Sequence, residues 1–279
     1  MKKTVIAAAL SVCAIIPPAA QATTPQQDLK AFRAYFHKHF PKVPFKEFSD
    51  GVYAIGPAEL RAQHKDIMQF PPFDFELAKG KRLFHTPFKN GKTYASCFPH
   101  GGIGIRQNYP YFDTKTGQVV TLELAINQCR VKNGEKPYNL LQGPLAEISA
   151  YMASTSHGKL MDIKIPNDPR ALAAYERGKH YFYAKRGQLN FSCADCHVYN
   201  AGKYVRSNLL SAGIGKVVSF PLYRAKWGSI GTLDKRFRGC NKQVRAKPLP
   251  AQSVEYRDLE YFLSYMSNGL PVNGPGYRM

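Results

Sequence analysis

The chain has 279 residues, with 39 Lys and Arg against 19 Asp and Glu, a formal net charge of +20. No segment approaches the roughly 18 continuous apolar residues of a spanning helix, so membrane-spanning classes are excluded. A positive field of this size favours encounters with acidic partners or small anions and says little about the fold.

In chain order, Met1-Lys-Lys-Thr4 is followed by an apolar stretch from Val5 to Ile16 and by Ala20-Gln21-Ala22, a small-x-small cleavage site. This pattern predicts a secretory signal peptide over residues 1–22 and a mature chain from Thr23 in the bacterial periplasm. Cys13 lies inside that segment, and Val12 before it does not suit a lipoprotein signal. Export also removes nucleic acid from the expected partners, despite the charge. The mature length of 257 residues suits two domains better than one. Residues 23 to 75, with Pro41, Pro44, Pro57, Pro71 and Pro72, read as an N-terminal extension with no assigned packing.

Gly80-Lys-Arg-Leu-Phe84 begins a pattern that recurs later: a glycine and aromatic at helical spacing, a cysteine, and a second apolar helix, "PLAEISAYMASTSHG". Its counterpart starts at Asp168, an N-cap candidate followed by Pro169 at the first helical position, with Leu172, Tyr175, Gly178 and Phe182 forming a stripe. The second helix of that copy carries Leu259, Phe262, Tyr265 and Met266, with Gly269 as C-cap. Leu145 then matches Leu259, Ile148 matches Phe262, and Tyr151-Met152 match Tyr265-Met266. Gly178-Lys-His-Tyr-Phe182 resembles the glycine-and-aromatic face of the first helix in class I cytochromes c; with Cys193-Ala-Asp-Cys196-His197 only in the second copy, the resemblance implies a mainly α fold of two tandem class I cytochrome c-like domains, the first degenerate and without haem. The expected division is 23–154, comprising the extension and the haem-less domain, and 155–279, the haem-binding domain.

Cys193-Ala-Asp-Cys196-His197 carries the haem reading. In C-x-x-C-H each thiol adds to one porphyrin vinyl group and the histidine ligates iron. A zinc site would need a second C-x-x-C, and none exists. The first copy reads Cys97-Phe-Pro-His100, one thiol short and with the histidine one place early. A bridge from Cys97 to Cys129 would close a 33-residue loop, a constraint of roughly 3 to 4 kcal/mol. The alternative is a single-thioether haem ligated by His100. Met152 occupies the haem-less copy at the place of Met266, so both methionines read as core residues. No histidine follows His197. The distal iron position therefore needs another ligand.

Five cysteines remain after processing, an odd number where thiols normally pair. The unmatched one is Cys240, 43 residues after His197. A thiolate is a strong iron ligand that lowers a haem potential. Residues 224 to 247 hold Arg224, Lys226, Lys235, Arg236, Arg238, Lys242, Arg245 and Lys247 against Asp234 alone. Such cations favour a thiolate and attract oxyanions. Gly239 and Asn241 beside the thiol suggest an exposed turn. If the segment is helical instead, Arg236 lies one turn before Cys240 on the same side.

The stretches "SCFPHGGIGIRQNYPYFD", "VVTLELAINQCRVKNGEKPYN", "GQLNFSCADCH" and "RFRGCNKQVRA" resemble the A subunits of SoxAX cytochromes over nearly all the mature chain. That resemblance implies an L-cysteine S-thiosulfotransferase that joins thiosulfate to a cysteine of the carrier SoxYZ, with the cytochrome SoxX as partner. It implies one covalently bound haem c on Cys193 and Cys196, with His197 and Cys240 as axial ligands. Cys240 would be the catalytic cysteine, found as a persulfide, and Arg236 the substrate contact, with Arg245, Arg238 and Lys242 as lesser helpers. Many such subunits carry a second C-x-x-C-H in the first domain. This chain does not, and so resembles the mono-haem type with Cys97 and Cys129 as a disulfide. The competing reading is a plain electron-transfer cytochrome in which Cys240 only tunes the haem.

Overall fold

The computed structural model describes residues 23–279; the expected signal peptide of residues 1–22, Cys13 included, lies outside the described residues. The helices are α1 (Pro25–His39), α2 (Val52–Ile55), α3 (Ala58–Ile67), α4 (Asp74–His85), α5 (Leu122–Lys132), α6 (Pro144–Ser154), α7 (Pro169–Tyr183), α8 (Leu233–Gln243) and α9 (Val254–Met266). Short strands form two hairpins, β1 (Tyr111–Asp113) with β2 (Gln118–Val120) and β3 (Tyr204–Val205) with β4 (Asn208–Leu209). A third sheet runs β6 (Ser229–Gly231), β5 (Leu222–Arg224), β7 (Gly276–Arg278), with β5 antiparallel to β6 and parallel to β7.

Two helix crossings organise the chain: α4 over α6, and α7 over α9. Each uses a glycine. A Cβ on Gly80 would lie 1.9 Å from the Glu147 carbonyl oxygen, and one on Gly178 would lie 2.0 Å from that of Asp258. Only a hydrogen at these positions allows the backbones so close, which is why helices that would pay an intrinsic penalty for glycine keep it. The contact falls one turn later in the first copy than the pairing of Leu145 with Leu259 implies, since that pairing would set Glu147 against Tyr261. Helices α6 and α9 are buried nearly all round, as central helices are.

Asp168 caps α7, accepting from the Arg170 N–H at 2.8 Å. The buried face of α7 is Ala171, Ala174, Tyr175, Gly178 and Phe182. Leu172, expected in that stripe, is 43% exposed, because the α9 contact is centred on Gly178 and turns position 172 outward. Met152 and Met266 are both core residues, at 0% and 1% exposure. Gly269 is left-handed (φ 78°) two residues beyond the α9 C-cap Ser267.

Separate apolar clusters surround the crossings. Around α4, α5 and α6, aromatic residues Phe84, Phe88, Tyr94, Phe98 and Tyr109 pack with Ile126, Ile148 and Met152. Cys97 and Cys129 are joined here as a disulfide with Cα atoms 5.8 Å apart, which removes the single-thioether alternative, and His100 is exposed. The larger cluster surrounds α7 and α9 and takes in Phe32 and Phe36 of α1. The N-terminal segment, unassigned from sequence, thus packs on the second copy: Lys179 pairs with Asp28 at 2.6 Å, the Tyr175 hydroxyl donates to Asp28 at 2.8 Å, and the Tyr35 hydroxyl donates to the Val198 carbonyl at 3.2 Å. Among the described residues no helix is long and apolar enough to cross a membrane.

Gly178→Ala is expected to lower Tm by several degrees, since a Cβ forces α9 away along its length; overpacking of this kind costs about 1–3 kcal/mol or more. Thermal melts of the purified protein check this, and an unchanged Tm would contradict the crossing described.

Candidate active site

The loop after α7 brings Cys193, Cys196 and His197 into one cleft. Ser192 and Asp195 bond reciprocally, with the Ser192 N–H donating to Asp195 Oδ2 at 2.7 Å and the Asp195 N–H to Ser192 Oγ at 3.0 Å. This cap starts the turn that continues through Asp195–Tyr199. The Gly213 N–H donates to the His197 carbonyl at 2.7 Å. His197 is 5% exposed, and its Nδ1 lies 2.9 Å from the Ser211 carbonyl oxygen. That partner assigns the proton to Nδ1 and leaves Nε2 as the free lone pair. Burial, and then the nearby Lys216 ammonium, hold the imidazole well below its ordinary pKa and so in the neutral, metal-ligating form.

Opposite stands α8, capped by Thr232, whose Oγ1 accepts from the Lys235 N–H at 3.5 Å. The Thr232 hydroxyl also donates to the Leu140 carbonyl at 2.8 Å, and its N–H donates to the Leu141 carbonyl at 3.0 Å. The helix that carries the thiol is therefore anchored at its start to the first copy. Arg236 and Cys240, four residues apart, share one face and line the cleft with Cys193, Cys196 and His197. The exposed turn expected around Gly239 and Asn241 is instead the interior of this helix. Asn241 is 5% exposed because its amide donates to the hydroxyls of Tyr256 at 2.7 Å and Tyr181 at 3.0 Å, which satisfies it without solvent.

The apolar part of the lining includes Phe182, Phe191, Leu210, Phe237, Leu259 and Leu263, and the space free of protein atoms is about 660 Å³, its open mouth included. Arg186, which sequence reasoning missed, places Nη1 3.4 Å from the Cys193 sulfur and its guanidinium 3.8 Å from the centre of the Tyr181 ring. Lys216, also missed, has Nζ 2.5 Å from His197 Nε2, and burial followed by Arg236 pushes it down to about 7. The lesser helpers are not gathered here. Arg238 turns away and donates to the Leu249 carbonyl, Lys242 is exposed off the helix face that Arg236 and Cys240 share, and Arg245 is exposed beyond the C-cap of α8, Val244.

The model of the SoxA/TsdA cytochrome c domain matches residues 79–161 and 177–272, the two helix crossings with their cysteine segments. The chain belongs to the SoxA/TsdA cytochrome c family. It is 51% identical over 251 residues to the L-cysteine S-thiosulfotransferase subunit SoxA of Chlorobaculum tepidum, covering 90% of this chain and 87% of that one. It is 49% identical over 258 residues to the protein of the same name from Allochromatium vinosum, covering 92% and 91%. The crystal structure of SoxXA from P. pantotrophus superposes with a TM-score of 0.72 at 28% identity, covering 81% of this chain and 86% of that chain.

A cytochrome c domain of this family holds haem c, and the cleft fits one. Two thiols three residues apart, an adjacent buried neutral histidine and an apolar wall meet in one cleft, the donor set and surroundings that a covalently held haem needs. With the proton on Nδ1, the Nε2 lone pair faces Lys216 Nζ at 2.5 Å, and it is the nitrogen of His197 able to ligate a metal.

At the root of α8, Asp234 is 3% exposed, with Oδ1 unpartnered and Oδ2 accepting from the Gln252 N–H at 3.2 Å and from its side-chain amide. Burial pushes its carboxyl up to about 6; Glu123 raises it further, while the Gln252 bonds and Arg238 oppose the shift. Because the folded state binds this proton more tightly than the unfolded chain, the contribution favours folding below about pH 4 and is lost as pH rises through 6. Asp234→Asn keeps an acceptor for Gln252 and cannot ionise. It is expected to raise Tm by a few degrees at pH 7.5, with the gain vanishing near pH 4; melts at both values check this.

Proposed function

We propose that the protein is a periplasmic c-type cytochrome subunit that oxidatively joins thiosulfate to a cysteine of a SoxYZ carrier, working with a SoxX cytochrome partner. The observation that carries the reading is Arg236 and Cys240 on one face of α8, lining the same cleft as Cys193, Cys196 and His197. The names of the relatives, L-cysteine S-thiosulfotransferase subunit SoxA, and the SoxXA structural likeness support it. Export rests on the N-terminal pattern of residues 1–22.

Cys193 and Cys196 would hold one haem c by thioether bonds, with His197 Nε2 and the Cys240 sulfur as the groups that would ligate its iron. The first copy, where Cys97 is joined to Cys129, supports a count of one. When bound, the haem supplies a one-electron acceptor beside the thiol. The work of the chain's own residues is binding and sulfur transfer. Arg236 grips the sulfonate oxygens of thiosulfate through its planar fork, which a lysine lacks. The outer, sulfane sulfur of thiosulfate joins the Cys240 thiolate, giving Cys240–S–S–SO₃⁻ and releasing two electrons. The carrier's thiolate attacks that sulfane sulfur, and Cys240 leaves as thiolate. Since a haem takes one electron at a time, the second electron requires another acceptor, the role given to the partner cytochrome.

In the complex with its cytochrome partner, Cys240→Ala is expected to reduce thiosulfate conjugation at least tenfold while covalent haem stays attached. Arg236→Lys is expected to raise KM for thiosulfate by about tenfold, the loss of one charge-assisted bidentate contact. Mass spectrometry of the carrier and the haem absorption spectrum read the outcomes. Unchanged conjugation in both variants would return the protein to simple electron transfer.

A further inference from the structure

Helix α8 buries a narrow stripe, Leu233, Asp234, Phe237 and Asn241, and turns Arg236 and Cys240 toward the cleft beside it. Positions 233, 237 and 241 recur every four residues, so one side chain in each turn holds the helix to the body of the protein. The first turn is tied through Thr232 to the Leu140 and Leu141 carbonyls. The last turn, where an apolar residue would continue the stripe, carries Asn241 instead.

Asparagine is a weak helix former, and its amide is costly to bury unless its hydrogen bonds are made. Here they are made to two other helices. Nδ2 donates to the Tyr256 hydroxyl of α9 at 2.7 Å and to the Tyr181 hydroxyl of α7 at 3.0 Å, and the Tyr181 hydroxyl lies 3.4 Å from Oδ1. Tyr256 is fixed in turn by the Leu249 N–H, which donates to its hydroxyl at 3.2 Å, and by Phe237, with ring centres 5.6 Å apart. Tyr181 lines the cleft and serves its other wall as well. The Arg186 guanidinium stands 3.8 Å from the centre of its ring, donates to its carbonyl, and sets Nη1 3.4 Å from the Cys193 sulfur. A continuous set of polar contacts therefore runs from Cys193 through Arg186 and Tyr181 to Asn241, the residue next to Cys240. An apolar contact would also stabilise α8, but it leaves the helix free to slip about its axis, whereas directed hydrogen bonds select one rotation.

We infer that Asn241 and Tyr181 are positioning residues: they fix the rotation of the last turn of α8 and so hold the Cys240 sulfur in the cleft that Cys193, Cys196 and His197 line. Arg236 lies outside this hold, because its N–H donates to the Thr232 carbonyl at 3.3 Å and it belongs to the turn anchored there. The chemical role of the sulfur rests on the proposed function; the hold on it stands on the hydrogen-bond geometry.

The test places Tyr181→Phe and Asn241→Leu in the haem-loaded complex with its cytochrome partner. Tyr261→Phe is the control, since the Tyr261 hydroxyl donates to the Lys164 carbonyl at 2.6 Å and does not line the cleft. With the C-x-x-C-H thiols taken up by haem and Cys97 bonded to Cys129, Cys240 is the one free thiol among the described residues, and its alkylation by iodoacetamide is followed by mass spectrometry. Haem reduction potential, Tm, and kcat and KM for thiosulfate conjugation are measured alongside. In both variants alkylation is expected to quicken by roughly tenfold, the local opening released by one lost buried hydrogen bond. The potential rises as the hold on a thiolate ligand loosens, and kcat falls by a similar factor while KM stays within about twofold. The control moves Tm alone. If the two variants also move Tm alone, with alkylation, potential and kcat at parental values, the positioning role is refuted; Tyr181→Phe, which removes one oxygen, decides the matter by itself if Asn241→Leu does not fold. A parent complex that fails to conjugate thiosulfate overturns the proposed function instead, and alkylation with potential still decides the positioning.

Discussion

The close crossing of α7 and α9 is the constraint on which the rest of the second copy depends. With no Cβ on Gly178, the α9 backbone at Asp258 settles against it, and Phe182, Phe262 and Tyr175 close around the contact. That crossing sets where α7 ends. From its end the chain needs only a short loop to reach Cys193, while Leu259 and Leu263 of α9 become the floor of the same cleft. The cleft built this way has two thiols and a histidine on one irregular turn, with the packed helices α7 and α9 at its back.

The first copy keeps the architecture and changes its use. Gly80 still meets Glu147 as the helices cross, but aromatic side chains and the Cys97–Cys129 bond fill its interior, with no C-x-x-C-H beside them. Arg130 holds the interior together, with Nη1 3.0 Å from the Tyr94 hydroxyl, Nε 2.8 Å from the Lys136 carbonyl and its guanidinium 3.5 Å from the centre of the Tyr138 ring. What this copy contributes to the other is position. Its 140–142 segment bonds to Thr232 and bridges to Gly231, so the start of the thiol-bearing helix is tied to a unit that has no haem motif.

Electrostatics then follows from which cations the fold buries. Much of the basic run around Cys240 is a solvated face, as Lys242, Arg245 and Lys247 show, and contributes only a diffuse field. The cations that line the cleft come from three separate places: Arg186 after α7, Lys216 in the loop before β5, and Arg236 on α8. In low dielectric surroundings these few act far more strongly than the surface majority.

Sequence by itself determined the haem motif, the odd cysteine count and the duplicated helix pattern, and it set the four-residue spacing of Arg236 and Cys240, which the structure turned into a shared helix face. Each is a matter of covalent chemistry or of spacing within a few turns of chain, where geometry follows directly from residue order. It misjudged the Asn241 turn, because a buried asparagine in a helix is paid for by tyrosines 15 and 60 residues away. Tertiary structure alone decided that α1 docks on the second copy, that Thr232 is held by Leu140, and that Arg224 lies beside Arg278. Those contacts join segments separated by dozens to more than two hundred residues, and no local pattern encodes which distant strand or carbonyl will fill the space beside a side chain.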